Sequence, residues 1–220
     1  MLKCVVFDMD GTLLDTERLS IQFWVDKGEE YGVDVPTEFI IGGCGCRKED
    51  VIKRYQEHYP NFPVEEAIVG REDWWAEQEA KGLVRTKPGA VETLTYLRRL
   101  GLKLVVATSN LYEKAVRELK ETGLYPFLDD VVSGDELPLG RGKPAPDIFL
   151  LAMEKMGCVP SECIVVEDSA SGVMGGIASG ARTVMIPDLL QPSGELRGKL
   201  YRCLDSLTDL IPVVEELIKT

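Results

Sequence analysis

Three short polar clusters follow directly on apolar runs: Asp8-Met9-Asp10-Gly11-Thr12, Thr108-Ser109-Asn110 and Glu167-Asp168-Ser169. A further cluster, Lys143-Pro144-Ala145-Pro146, precedes a helical pattern and is stiffened by its prolines. If the apolar runs are parallel strands of one sheet, their carboxyl ends lie along one edge, where open α/β folds bind ligands. Asp8, Asp10, Glu167 and Asp168 then converge on a small volume, although the chain separates them widely. Carboxylates gathered in a partly desolvated site repel strongly. Such a set persists when a divalent cation neutralises it, and an all-oxygen shell favours Mg²⁺ over softer metals.

The elements that must position these groups are legible as alternating patterns. Short β-branched runs at Lys3–Phe7, Leu102–Ala107, Asp130–Val132, Cys163–Val166 and Arg182–Ile186 read as buried strands. Between them lie helical stripes: Val91, Leu94 and Leu97 before Gly101; Ala115, Val116 and Leu119 before Gly123; and Ile148, Leu151 and Ala152 between Pro146 and Gly157. Near-continuous apolar strands alternating with helices imply a doubly wound parallel sheet of the Rossmann-like α/β class. The stretch from residue 18 to 86 breaks this rhythm. It shows helical patterns at Leu19–Tyr31, Lys48–Tyr59 and Val64–Lys81, and a glycine-rich joint from Ile41 to Arg47. The expected organisation is therefore a core domain of residues 1–17 and 87–220, interrupted by a small helical domain, 18–86, that caps the active site and closes on a ligand.

Composition narrows the partners. The 220 residues carry 37 acidic and 25 basic side chains, a net charge of −12 that repels polyanions and argues against a nucleic-acid surface. The uncharged stretch from Ser169 to Ala181 is too short and too rich in Gly and Ser to span a bilayer. The first apolar run ends at Asp8, too early for the core of a signal peptide. These features point to a soluble cytoplasmic protein, expected to be monomeric. Its cysteines (Cys4, Cys44, Cys46, Cys158, Cys163, Cys203) include no CxxC pair, and Cys4 and Cys163 read as small buried hydrophobes. Cys44-Gly45-Cys46 has soft donors, but no second ligand pair follows at zinc-site spacing. The single histidine, His58, lies in a charged helical stretch and reads as solvated, which leaves carboxylates and lysines to carry the chemistry.

The order of the clusters resembles the haloacid dehalogenase superfamily: DxDGT after a first strand, Thr-Ser after a second, Lys-Pro before a helix and an acidic pair after a later strand. The similarity covers nearly the whole chain, and the position of the helical insert matches the helical-cap members. The run FDMDGTLLDTERL and the later VMIPD resemble pseudouridine-5′-phosphatase-like proteins, and β-phosphoglucomutase is the other group to which the chain is similar. The resemblance implies that Asp8 is a nucleophile that takes up a phosphoryl group. It makes Asp10 the general acid and then the base, with Thr108 and Lys143 holding phosphoryl oxygens. It also implies Mg²⁺ bound by Asp8, the main-chain carbonyl of Asp10, Glu167 and Asp168, and a small phosphorylated metabolite as substrate. Thr12, Thr16, Ser109, Asn110 and the insert's Arg47 and Arg71 are the expected substrate contacts.

Elementary chemistry agrees with these roles. A carboxylate attacking a phosphate dianion meets like-charge repulsion, so positive charge must be supplied where negative charge builds up. An acid two residues after the nucleophile can be presented to the same substrate by one short turn. True dehalogenases and phosphonate-cleaving members lack an acid at the position of Asp10, so its presence selects phosphoryl transfer. Mutases usually carry a histidine where this chain has Ser20, which favours hydrolysis over a mutase reaction; an inactive binding module is a further alternative. Other phosphate-binding signatures fail: Leu137 and Pro144 occupy positions where a Walker loop needs Gly and Ser or Thr.

Overall fold

The computed structural model describes residues 1–43, 48–138 and 140–219. The chain divides into two compact units: Met1–Leu14 with Thr86–Thr220, and Asp15–Arg85.

In the larger unit, β1 (Cys4–Phe7) is an unbroken β-branched and aromatic run with every residue buried. The chain leaves this unit after Leu14 and re-enters at Thr86, where the two strands of the connection bridge each other. In the smaller unit, α1 (Glu17–Tyr31) ends at Gly32, whose φ of +66° gives the left-handed cap that closes the helix. It is followed by α2 (Thr37–Ile41), α3 (Lys48–His58), α4 (Val64–Val69) and α5 (Arg71–Ala80). The single helix expected over Val64–Lys81 is thus two, separated at Gly70, where the poorest helix former short of proline stands. The core of this unit is aromatic: Trp24 stacks on Tyr55 with ring centroids 4.8 Å apart, and Phe23, Phe62 and Ile40 fill in around them. His58 is exposed, as its charged helix implied. The Ile41–Arg47 joint, including Cys44 and Cys46, falls largely outside the described residues.

The larger unit resumes with α6 (Ala90–Arg99), β2 (Lys103–Thr108), α7 (Tyr112–Glu121), β3 (Asp130–Ser133), α8 (Asp147–Lys155), β4 (Cys163–Glu167), α9 (Ala170–Ala178) and β5 (Arg182–Met185). A short α10 (Gly194–Arg197), β6 (Arg202–Cys203) and α11 (Leu210–Lys219) complete it. The sheet has six parallel strands in the order β3-β2-β1-β4-β5-β6. Its central strands are buried throughout, which requires cover on both faces. β6 was not expected: a two-residue edge strand is too short to leave a periodic signal.

The strand order reverses direction between β1 and β4, so this fold places its crevice beyond the carboxyl ends of those two strands. β1 and β4 are in direct register, with Cys4 opposite Cys163 and Phe7 opposite Val166. The acidic residues that end the two strands are consequently neighbours.

Candidate active site

Asp8 continues the line of β1, and its N–H still donates to the Val166 carbonyl at 2.9 Å. The chain then turns back sharply. The N–H groups of Leu13 and Leu14 both donate to the Met9 carbonyl at 2.9 Å, and the Gly11 N–H donates to Leu14. Gly11 has φ +78°, which a residue with a Cβ adopts only under strain, so glycine is what lets Asp8 and Asp10 share one tight turn.

Lys143 projects from its proline-flanked loop to meet Asp8. Its Nζ donates to Asp8 Oδ1, to Glu167 Oε1 at 2.6 Å and to the Ala107 carbonyl at 3.1 Å. These three bonds match the three donors of an ammonium group. Both carboxylates and the ammonium are nearly or fully buried. Burial pulls the lysine pKa down, but the charges of Asp8 and Glu167 outweigh it and hold the ammonium protonated beyond its ordinary range. Asp8 is pushed up to about 8, first by burial and then by the Glu167 charge, with Lys143 opposing both.

Glu167 is fixed more completely than its neighbours. While Oε1 accepts from Lys143, Oε2 accepts from the N–H groups of Asp168 and Ser169 at 3.2 Å and from Ser169 Oγ at 3.0 Å. Ser169 also caps α9, its Oγ accepting from the Gly172 N–H at 3.1 Å. Gly172 lies so close that a Cβ there would stand 1.8 Å from Glu167 Oε1. Position 172, in the first turn of α9, therefore has to be bare for the Glu167 carboxylate to fit. The glycine content that marked Ser169–Ala181 as a poor membrane span is a packing requirement of this helix.

One carboxylate oxygen from each of Asp8, Glu167 and Asp168 lies within 4.8 Å of the others. Three hard oxygen donors at this spacing, with a cradle shaped around one of them, fit a small divalent cation of the Mg²⁺ type. Asp10 is placed differently from these acids. Its Oδ2 accepts from Asn110 Nδ2 at 2.8 Å, and the Asn110 N–H in turn donates to Thr108 Oγ1 at 3.1 Å. The sequence places Asn110 only among substrate contacts; the structure makes it a residue that holds Asp10. The signal for this was weak, because the pair lies a hundred positions apart and only the β1–β2 register brings it together.

The remaining candidates separate. Thr12 is buried in the Asp8–Leu14 turn, and its Oγ1 has no hydrogen-bond partner. Ser109 is exposed at the end of β2. Thr16 and Arg71 belong to the smaller unit. Thr16 precedes α1 and accepts from the Ser20 N–H through its carbonyl at 2.9 Å. The Arg71 guanidinium donates to Ser20 Oγ at 3.0 Å and lies 5.8 Å from the ring centroids of both Phe23 and Trp75. Arg47 falls outside the described residues.

Comparison with known proteins agrees with this architecture. The profile of the haloacid dehalogenase-like hydrolases matches residues 2–180. A phosphorylated carbohydrates phosphatase of Thermotoga maritima is 29% identical over 183 residues, covering 83% of this chain and 84% of the relative. A protein of Drosophila melanogaster described as a probable pseudouridine-5′-phosphatase is 32% identical over 216 residues, covering 94% and 90%. Among solved structures, a hydrolase of the same family from Deinococcus radiodurans, with bound phosphate and sodium, superimposes with a TM-score of 0.81 at 26% identity. That match covers 98% of this chain and 96% of the other.

Proposed function

The chain belongs to the haloacid dehalogenase-like hydrolases, and on that premise we propose that it is a Mg²⁺-dependent phosphatase of a small phosphorylated metabolite. The observation that carries this reading is the gathering of the Asp8, Glu167 and Asp168 carboxylates around one edge of the sheet, with Lys143 between two of them. Sugar phosphates and nucleotide-like monoesters are the substrate class, in keeping with the named activities of the relatives.

In the proposed reaction the Asp8 carboxylate attacks phosphorus, and the bond from phosphorus to the leaving alcohol breaks. Asp10, oriented by Asn110, gives its proton to that leaving oxygen. The resulting phospho-aspartyl group is then attacked by water, whose proton Asp10 takes back. Phosphate leaves and the Asp8 carboxylate is restored. Lys143 and Thr108 are assigned to the phosphoryl oxygens. The buried, unpartnered Thr12 hydroxyl supports a polar ligand at this turn, because such groups are normally satisfied. Asp8 and Asp168, with Glu167 and the Asp10 carbonyl, are assigned to Mg²⁺, which when bound supplies positive charge against the repulsion between phosphate and carboxylate.

Substrate choice is assigned to the helical unit, as a cap, through Thr16, Arg47 and Arg71, and to Ser109 and Asn110 in the core. A guanidinium has five N–H donors, of which Arg71 gives one to Ser20. Hydrolysis is favoured over a mutase reaction because Ser20 stands where mutases carry a histidine. The test is release of nitrophenol from p-nitrophenyl phosphate, followed by a panel of phosphorylated metabolites that includes β-glucose 1-phosphate. Turnover that requires Mg²⁺ and stops with EDTA supports the proposal. Absence of turnover on every compound overturns it, and glucose 6-phosphate as product would replace hydrolase with mutase.

A further inference from the structure

The same two strands that end in Asp8 and Glu167 begin with cysteines. Cys4 opens β1 and Cys163 opens β4, directly opposite each other in the parallel register. Cys158, from the connection after α8, completes a cluster whose three Sγ atoms lie within 4.8 Å of one another. All three are thiols and all are buried, with Cys158 outermost. The phosphatase reading does not use them, and they lie at the opposite edge of the sheet.

We propose that Cys4, Cys158 and Cys163 form a three-coordinate thiolate site for a soft monovalent cation of the copper(I) class. Metal–sulfur bonds of about 2.3 Å around a trigonal ion place the sulfurs roughly 4 Å apart, so the cluster reaches that spacing by small side-chain rotations. Sulfur-only coordination selects soft ions over Mg²⁺ or Ca²⁺. A structural zinc site would need a fourth ligand, and a neighbouring carboxylate, Glu162, is already engaged: Oε1 pairs with Lys3 at 2.5 Å and Oε2 accepts from the Val159 N–H at 3.3 Å. The only histidine, His58, belongs to the other compact unit.

The three are thiols whose protons a bound ion has to displace. Cys163 Sγ donates to the Val159 carbonyl at 3.3 Å, as Cys158 Sγ does to that of Met156. Lys103 Nζ donates to the Met156 carbonyl at 2.6 Å, the same carbonyl that accepts from Cys158 Sγ at 3.5 Å, so an ammonium stands at the rim. Binding replaces S–H bonds by S–Cu bonds, releases each displaced proton to solvent and transfers no electrons.

The test is anaerobic titration of the reduced, full-length protein with copper(I) bicinchoninate, whose colour fades as the protein withdraws the metal. Wild type is expected to take one equivalent per chain. The double variant Cys44→Ser/Cys46→Ser should retain it, and Cys158→Ser should bind at least about tenfold more weakly. Copper-edge X-ray absorption on the Cys44→Ser/Cys46→Ser protein should count three sulfur neighbours, and this decides the question even if Cys158→Ser does not fold. Failure to withdraw copper, uptake lost with Cys44 and Cys46, or two sulfur neighbours would each overturn the site.

Discussion

The two ends of β1 and β4 make a controlled comparison. Both strands run in register over the same buried core, yet their carboxyl ends bring together hard oxygen donors and their amino ends bring together soft sulfur. The ends are about 13 Å apart, at 3.3 Å per residue. At the carboxyl end, charge is buried only because it is answered: Lys143 meets two carboxylates, and backbone N–H groups meet the second oxygen of Glu167. At the amino end, neutral thiols sit in the apolar core at little cost and need no counter-charge. Parallel pairing thus juxtaposes whatever residues stand at equal register. Their chemistry decides whether the junction must be supported by further polar contacts.

Substitutions at the two ends should separate accordingly. The largest effect is expected for Asp8→Asn, which keeps the shape and removes the carboxylate assigned as nucleophile. Phosphate release should fall by about 10³-fold or more in steady-state assays, with the fold retained by circular dichroism. Substantial remaining turnover would remove Asp8 from its assigned role. Lys143→Met should follow, because it leaves Asp8 and Glu167 facing each other without a buried cation. Urea denaturation is expected to show a loss of about 3 kcal/mol, partly restored by Mg²⁺. Gly172→Ala tests the cradle alone: a Cβ against Glu167 must displace the carboxylate, lowering activity about 10- to 100-fold and raising the Mg²⁺ concentration needed. Smallest is Cys158→Ala at the opposite end, which should leave phosphate release within about twofold and shift stability by about 1 kcal/mol. A loss of activity there as large as that of Gly172→Ala would show that the two edges act as one unit.

Helix placement shows where local pattern stops being enough. The apolar stripes of α6, α7 and α8 and the β-branched runs of the first five strands are contained in a few adjacent residues each, so they are visible without tertiary knowledge. The break at Gly70 and the two-residue β6 are not, since each depends on what the segment packs against. Within the site, the acids were recognisable because each cluster ends or borders an element. Their connections were not: Asn110 bound to Asp10, Lys143 shared between Asp8 and Glu167, and the bare Gly172 beneath Glu167. Cys4 and Cys163, expected as inert core residues, gain a partner in Cys158 that no spacing rule connects to them.

By itself, the order of residues determined the α/β class, the polar groups at the strand ends and the family to which the chain belongs. These properties live in short windows of hydrophobicity, turn chemistry and motif spacing. Which groups touch was decided only by tertiary structure, through the β1–β4 register and the packing of α9 on β4. Register is set by burial of the whole sheet, and no local periodicity encodes a contact between residues 8 and 143 or between residues 4 and 163.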